Sequence, residues 1–192
     1  MRTFLALELP EHEVRVLEEF RDKLRSATRP LPVKLRWVRS ELFHLTMRFF
    51  GEVSEAEAAS IVSVVSDVVA SRTAVPVQAS PLGVFPHWGR PRVLWGGVEP
   101  LDDGLFSLFH ALDDGFAEAG LGRYDMDEYH PHVTLARIKT SPTNMLRDTF
   151  EPFASEAWSQ EMKLSTLTLF KSELGPSGAK YTPLQHWNME SS

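Results

Sequence analysis

The chain has 192 residues, 43% of them hydrophobic, no cysteine and a formal net charge of −6. That is enough chain to bury a core without staples, and it excludes disulfides, thiolate metal sites and a cysteine nucleophile. The acidic balance argues against a protein that coats long nucleic acid by charge alone, and no apolar run approaches the length of a membrane span.

In chain order, MRTFLALELP reads as a first buried strand over residues 2–8 rather than a signal peptide. Pro10 stands where a helix can begin, and Leu17, Phe20 and Leu24 carry a helical stripe to about residue 26. RPLP at 29–32 is a loop, and 35–38 and 43–50 read as strands. Ser54 and Glu57 form a capping-box pattern ahead of Ile61, Val64, Val65 and Val68 at helix spacing. Strands over 76–85 and 91–98 flank the loop PHWGRP. Leu105, Leu108, Phe109, Leu112 and Phe116 predict another helix, ended by Gly120. A strand over 131–138 and a short helical or irregular piece near 143–150 follow. The closing hairpin is MKLSTLTLF, a GPSG turn, then AKYTPLQHW. Helices between antiparallel-looking strands predict an α+β fold rather than a doubly wound parallel sheet. No linker divides the chain, so residues 1–192 read as one domain built as two lobes.

Charge is uneven. Residues 1–50 hold ten Lys/Arg and seven Asp/Glu, a balance of +3, while the remainder holds ten and nineteen, a balance of −9. Lys23, Arg25, Arg29, Lys34, Arg36 and Arg39 follow one another with no acidic residue between them. Such a run is either a solvated surface or a local phosphate-facing patch.

That basic run leads into HLTMR, residues 44–48. Strand alternation puts His44, Thr46 and Arg48 on one face and Leu45 and Met47 on the other. The pattern returns 88 residues later in HPHVTLAR, where His132 and Thr134 share a face opposite Val133 and Leu135. Two copies of His-x-Thr in alternating apolar strands, each with an arginine close behind, look like a degenerate internal repeat. Opening or closing a phosphodiester needs one proton taken from the attacking oxygen and one given to the leaving oxygen. Histidine, with an ordinary pKa of about 6.5, serves either role near neutral pH. A threonine hydroxyl two residues along, roughly 6–7 Å away, can hold a non-bridging phosphate oxygen. Strict alternation turns Arg137 away from His132, and only a strand end or bulge would re-aim it.

The pair HLTMRF and PHVTLAR resembles the two signatures of the 2H phosphoesterase family, and most closely its RNA 2′,3′-cyclic phosphodiesterase (2′-5′ RNA ligase) branch. RTFLALELP, LRWVRSELFHLTMRFFGEV, GVFPHWGRPRVLWGGV and LTLFKSELGPSGAKYTPL are similar to that branch's first strand, first motif, middle segment and closing hairpin. The resemblance implies two similar lobes, with antiparallel sheets and flanking helices, around a central cleft. It implies hydrolysis of 2′,3′-cyclic phosphate RNA ends to 2′-phosphomonoesters without metal or other cofactor. His44 would be the proton donor and His132 the proton acceptor. Thr46, Thr134, Arg137 and Arg48 would bind phosphate or substrate. Weak 2′-5′ joining would be the reverse reaction. Substrates would be RNA or oligonucleotide ends and nucleoside cyclic phosphates, with no membrane and no protein partner implied. The absence of cysteine agrees with a reducing cytoplasm.

Other readings remain open. The motif reads phosphate and not base, so cyclic nucleotides, ADP-ribose cyclic phosphate or 2′-5′-linked oligonucleotides are alternative substrates. A non-catalytic RNA- or nucleotide-binding module would use the basic run equally well. His130 and His132 form a His-x-His pair that could hold a metal given a third ligand. Trp88 or Phe85 is expected near the cleft mouth, where a base could stack.

Overall fold

The computed structural model describes residues 1–123, 129–140, 143–154, 156–175 and 178–190. In chain order the elements are β1 (Arg2–Glu8), α1 (Glu11–Thr28), β2 (Lys34–Trp37), β3 (His44–Glu52), α2 (Glu55–Val69) and β4 (Val75–Phe85). Then come β5 (Val93–Pro100), α3 (Gly104–Glu118), β6 (His132–Thr140), α4 (Thr143–Phe150), β7 (Glu161–Leu164), β8 (Thr166–Gly175) and β9 (Gly178–Asn188). The fold is α+β. Its strands form an antiparallel sheet in the order β7-β4-β5-β6-β3-β1-β8-β9, with β2 paired to β6 on the side away from β5, beyond its short contact with β3.

The sheet falls into two halves of matching plan. One is β3-β1-β8-β9 and the other is β6-β5-β4-β7. They meet at β3 and β6, where Leu45 and Val133 form the backbone pair that joins them. Each half buries one face under two helices. In the first lobe Phe50 of β3 meets Phe116 of α3 edge-on, with ring centroids 5.0 Å apart. Trp187 of β9 donates from Nε1 to Ser66 Oγ of α2 at 2.9 Å. Helices α2 and α3 touch where Gly115 lies against Val64; a Cβ there would stand 2.6 Å from Val64 Cγ1. In the second lobe Leu17 of α1 packs near Gly96 of β5, and Trp158 donates to the Gly97 carbonyl at 3.0 Å. Phe20 of α1 meets Phe153 just beyond α4.

Local chemistry explains the element ends. The Ser54 hydroxyl accepts from the Glu57 N–H, and the Glu57 carboxylate accepts from Ser54 N–H, so the predicted capping box opens α2. Gly120, at φ 76°, turns the chain after α3 in a conformation that costs glycine little.

One expectation is corrected here. MKLSTLTLF is not one strand of the closing hairpin. Its first part is β7, paired to β4 in the second lobe, and its second part is β8, paired to β1 in the first. The chain changes lobes at Ser165. The break is written only as two successive polar residues, Ser165 and Thr166, across which the buried apolar positions pass from Met162 and Leu164 to Leu167 and Leu169. The hairpin is β8 with β9, and the middle of its GPSG turn lies outside the described residues.

Candidate active site

The two His-x-Thr motifs lie against each other across the seam. Leu45 pairs with Val133, both fully buried toward the helices, so the residues flanking each project to the opposite face. Antiparallel register about that pair sets His44 toward Thr134 and Thr46 toward His132. Diagonal neighbours in such a pair stand about 7–8 Å apart, so the two imidazoles face the same cleft across the seam.

Both rings are held alike. His44 Nδ1–H donates to the Leu42 carbonyl at 2.8 Å, and His132 Nδ1–H to the His130 carbonyl at 2.6 Å. Each is a bond to the residue two before, and each fixes the tautomer whose Nε2 carries the lone pair. His44 Nε2 accepts from the Thr46 hydroxyl at 3.1 Å. The Leu42 carbonyl is placed by a 3-10 turn at Ser40–Leu42. Arg21 of α1 braces the approach to that turn, with Nη1 on the Val38 carbonyl at 2.9 Å and its guanidinium over Phe43.

Burial governs the charge state. Desolvation lowers His44 to a pKa of about 4, with the nearby His132 adding to the fall and the Leu42 carbonyl opposing it. His132 is lowered as well, again mainly by burial. Both imidazoles are therefore mainly neutral at pH 7.

A β-bulge follows each motif, and it decides where the two arginines go. In β3 the partners of Leu5 and Ala6 are Arg48 and Thr46, so Met47 is the extra residue. In β6 the partners of Leu94 and Trp95 are Ala136 and Thr134, so Leu135 is the extra residue. Each bulge shifts the alternation by one. Arg48, expected beside His44, therefore turns to the helix side. It is 7% exposed, pairs with Asp113 of α3 at 2.5 Å and donates to the carbonyls of Leu121 and Gly122. Arg137, which strict alternation turned away, comes round to the His132 face, where its charge acts on Tyr181. The residue of the first motif that corresponds to Arg137 is Phe49, which stands 59% exposed on the cleft face.

Aromatic rings complete the cleft. Phe4, Phe170 and Tyr181 surround His44, with Phe4 4.9 Å, Tyr181 5.5 Å and Phe170 6.4 Å away between centroids. Phe85 stands edge-on to His132 at 4.9 Å, as expected for the cleft mouth. Trp95 lies 5.8 Å from His132 on the Thr134 face, while Trp88 packs toward Phe150 of α4. Two cavities adjoin the pair. One of about 440 Å³ is lined by His44, the 39–43 turn and the β8–β9 hairpin. The other, about 220 Å³, is lined by His132, Thr46, Phe49, Phe85 and Tyr129. The basic run disperses. Lys23 pairs with Glu156 and Arg39 with Glu41, while Arg36 lies against Gly178 at the end of the hairpin. Among the described residues no group of three or more His, Asp or Glu is gathered to hold a metal, so the third ligand that His130 and His132 would need is not found there.

Sequence reasoning missed Tyr181, Phe4, Phe170 and Phe49. No local pattern pointed to these four; the apolar step Leu135–Ala136, which breaks the alternation of β6 and marks its bulge, bore only on the direction of Arg137.

A family model for LigT-like phosphoesterases matches residues 7–95 and again 97–181, one motif in each match. A Methanothermobacter thermautotrophicus protein named RNA 2′,3′-cyclic phosphodiesterase is 33% identical over 188 residues, 96% of this chain and 97% of its own. An Escherichia coli protein of the same name is 30% identical, covering 97% and 95%. A solved structure from Thermus thermophilus superposes with a TM-score of 0.81 at 27% identity, over 100% of this chain and 99% of that one. Escherichia coli LigT without ligand gives 0.75 at 25%, over 99% and 98%. With one matched half on each lobe and relatives aligned from end to end, the chain belongs to the LigT-like phosphoesterases of the 2H family.

Proposed function

We propose that the protein is an RNA 2′,3′-cyclic phosphodiesterase that leaves a 2′-phosphomonoester, with residues 1–192 acting as one two-lobed unit in the cytoplasm. The observation that carries this reading is the pair of Nδ1-tethered histidines, one from each lobe, with a threonine facing each across the seam. His132 Nε2 takes a proton from water, whose oxygen attacks phosphorus. The P–O3′ bond breaks in line, and O3′ takes a proton from His44 Nε2. Thr46 and Thr134 hold the non-bridging oxygens as their charge grows, and Arg137 offsets that charge. Proton transfer and charge neutralisation are then all supplied by side chains, with no step that calls for a metal. With a 5′-hydroxyl in place of water, His132 takes that hydroxyl's proton, its oxygen attacks phosphorus and O3′ again leaves with a proton from His44; the ends are then joined through a 2′-5′ linkage, which would appear as weak ligation.

The acid, His44, is neutral at pH 7 in the free enzyme, because burial lowers it. A bound phosphodiester supplies the missing counter-charge and raises it. This gives a pH signature. Turnover from free enzyme needs His44 charged and His132 neutral, and both titrate below the ordinary value of 6.5. The optimum of kcat/KM therefore lies below pH 6.5, while that of kcat, set in the complex, lies higher. A kcat/KM profile that stays flat to pH 8 contradicts the assignment.

Arg137→Ala should lower kcat/KM by about 10–100-fold, the value of a charge-assisted bond to phosphate. Because Arg137 is exposed, the unfolding free energy should stay within about 0.5 kcal/mol of the wild type. The direct test is a short RNA ending in a 2′,3′-cyclic phosphate, incubated with chelator, with the product isomer identified. A 2′-phosphate is expected. A 3′-phosphate would reverse which ester oxygen leaves, and no product would return the protein to the alternative cyclic substrates.

A further inference from the structure

The proposed reaction has a direction, and the direction sorts the two cavities. If O3′ leaves toward His44, then C3′, C4′ and C5′ lie on the His44 side of phosphorus. The 5′-linked chain must leave the site past His44. The base, carried through C1′ from C2′, hangs on the other side, toward His132 and the smaller cavity. The larger cavity, about 440 Å³, begins at His44 and runs across β1 to the β8–β9 hairpin. It lies within the range of about 300–1,000 Å³ typical of ligand sites.

Its lining suits a ribonucleotide. Phe170 and Tyr181 offer ring faces on which a base can stack. Lys180 lines the groove, is exposed and makes no ion pair among the described residues. Glu8 lies on the floor, paired in register with His44. The buried Thr168 hydroxyl donates to Glu8 Oε1 and accepts from His186 Nδ1–H at 2.8 Å; His186 Nδ1 also lies 3.2 Å from that same oxygen. These contacts fix the carboxylate and leave Oε2 with no partner among the described residues. A fixed carboxylate whose second oxygen has no donor among the described residues, in a nucleotide-sized groove, is suited to a ribose hydroxyl.

We propose that this groove is a subsite for the nucleotide 5′ to the cyclic phosphate, with Glu8 Oε2 accepting from its ribose 2′-hydroxyl and Lys180 meeting the linking phosphodiester. The inference rests on the cyclic phosphodiesterase reading and on His44 as the acid. It makes the enzyme selective for oligoribonucleotide ends over mononucleotides, and for ribose over deoxyribose one residue upstream.

Three substrates test it: a mononucleoside 2′,3′-cyclic phosphate, a diribonucleotide ending in the same cyclic nucleotide, and that dinucleotide with a deoxyribose at its 5′ residue. The diribonucleotide should show kcat/KM about tenfold or more above each of the others, as expected for bonds to charged groups. Lys180→Ala should bring it toward the mononucleotide, whose own kcat/KM stays unchanged. Glu8→Ala should level the ribo and deoxy dinucleotides. Equal kcat/KM for all three substrates in the wild type overturns the subsite, as does a Lys180→Ala loss that falls equally on the mononucleotide. Failure of the wild type to turn over any of the three substrates refutes the phosphodiesterase reading itself, and the subsite with it.

Discussion

His132→Ala is expected to lower kcat on a 2′,3′-cyclic phosphate by about 10²–10⁴-fold, the range lost with a positioned general base. Binding should survive, because Thr46, Thr134 and Arg137 remain to hold the phosphate. His44→Ala should cost a similar factor through the other proton. The double variant should fall little below either single one, since the two imidazoles serve one displacement as a unit. The losses should differ with the leaving group. A substrate whose departing oxygen needs no proton, such as a nitrophenyl phosphodiester, should recover activity in His44→Ala but not in His132→Ala. Recovery in the opposite variant would exchange the two roles. Full activity in both would remove the mechanism.

Arg48→Ala is expected to unfold the protein before it touches the chemistry. Arg48 is an inward cation, with Asp113 at 2.5 Å, two carbonyls on Nη2, and the rings of Phe50 and Phe116 beneath its guanidinium. Removing one member of a buried pair leaves the other uncompensated, at a cost of about 3–5 kcal/mol. Arg123, 3.4 Å from the other Asp113 oxygen, would offset part of this. Denaturant melts of Arg48→Ala and Arg137→Ala should therefore separate cleanly, with a large loss in the first and almost none in the second. If Arg48→Ala melts like the wild type while KM rises, the guanidinium serves substrate and its contacts with α3 are incidental.

These two arginines also show what the sequence could convey. Periodicity located the strands around both motifs, the capping box, the α3 stripe and the His-x-Thr repeat, because each depends on neighbours a few residues apart. The roles of Arg48 and Arg137 depended on bulges, which are properties of strand pairs: Met47 is extra only with respect to Leu5 and Ala6, and Leu135 only with respect to Leu94 and Trp95. Alternation alone read both arginines on the wrong face. Tyr181 and Phe170 were invisible for a related reason. They reach His44 through a hairpin more than 120 residues away, and nothing in ELGPSGAKY announces that destination. The lobe change at Ser165 shows in the sequence only as the polar pair Ser165–Thr166, which shifts the phase of alternation without saying where the next strand goes.

The order of strands also bears on how the protein is made. β1 is a central strand of the first lobe, with β3 on one side and β8 on the other, and its contact with β8 joins Thr3 to Lys171. At about 5–20 residues per second, roughly 8–30 s pass between synthesis of β1 and arrival of its second neighbour. Through that interval Phe4 lacks the cover of Phe170 and Tyr181, and β1 is an open edge able to recruit another chain. The second lobe waits less, since β4, β5 and β6 follow in succession and β7 closes on β4 before β8 is made. A nascent chain thus completes one half while the other still lacks its hairpin, and the catalytic cleft closes only when the last strands leave the ribosome.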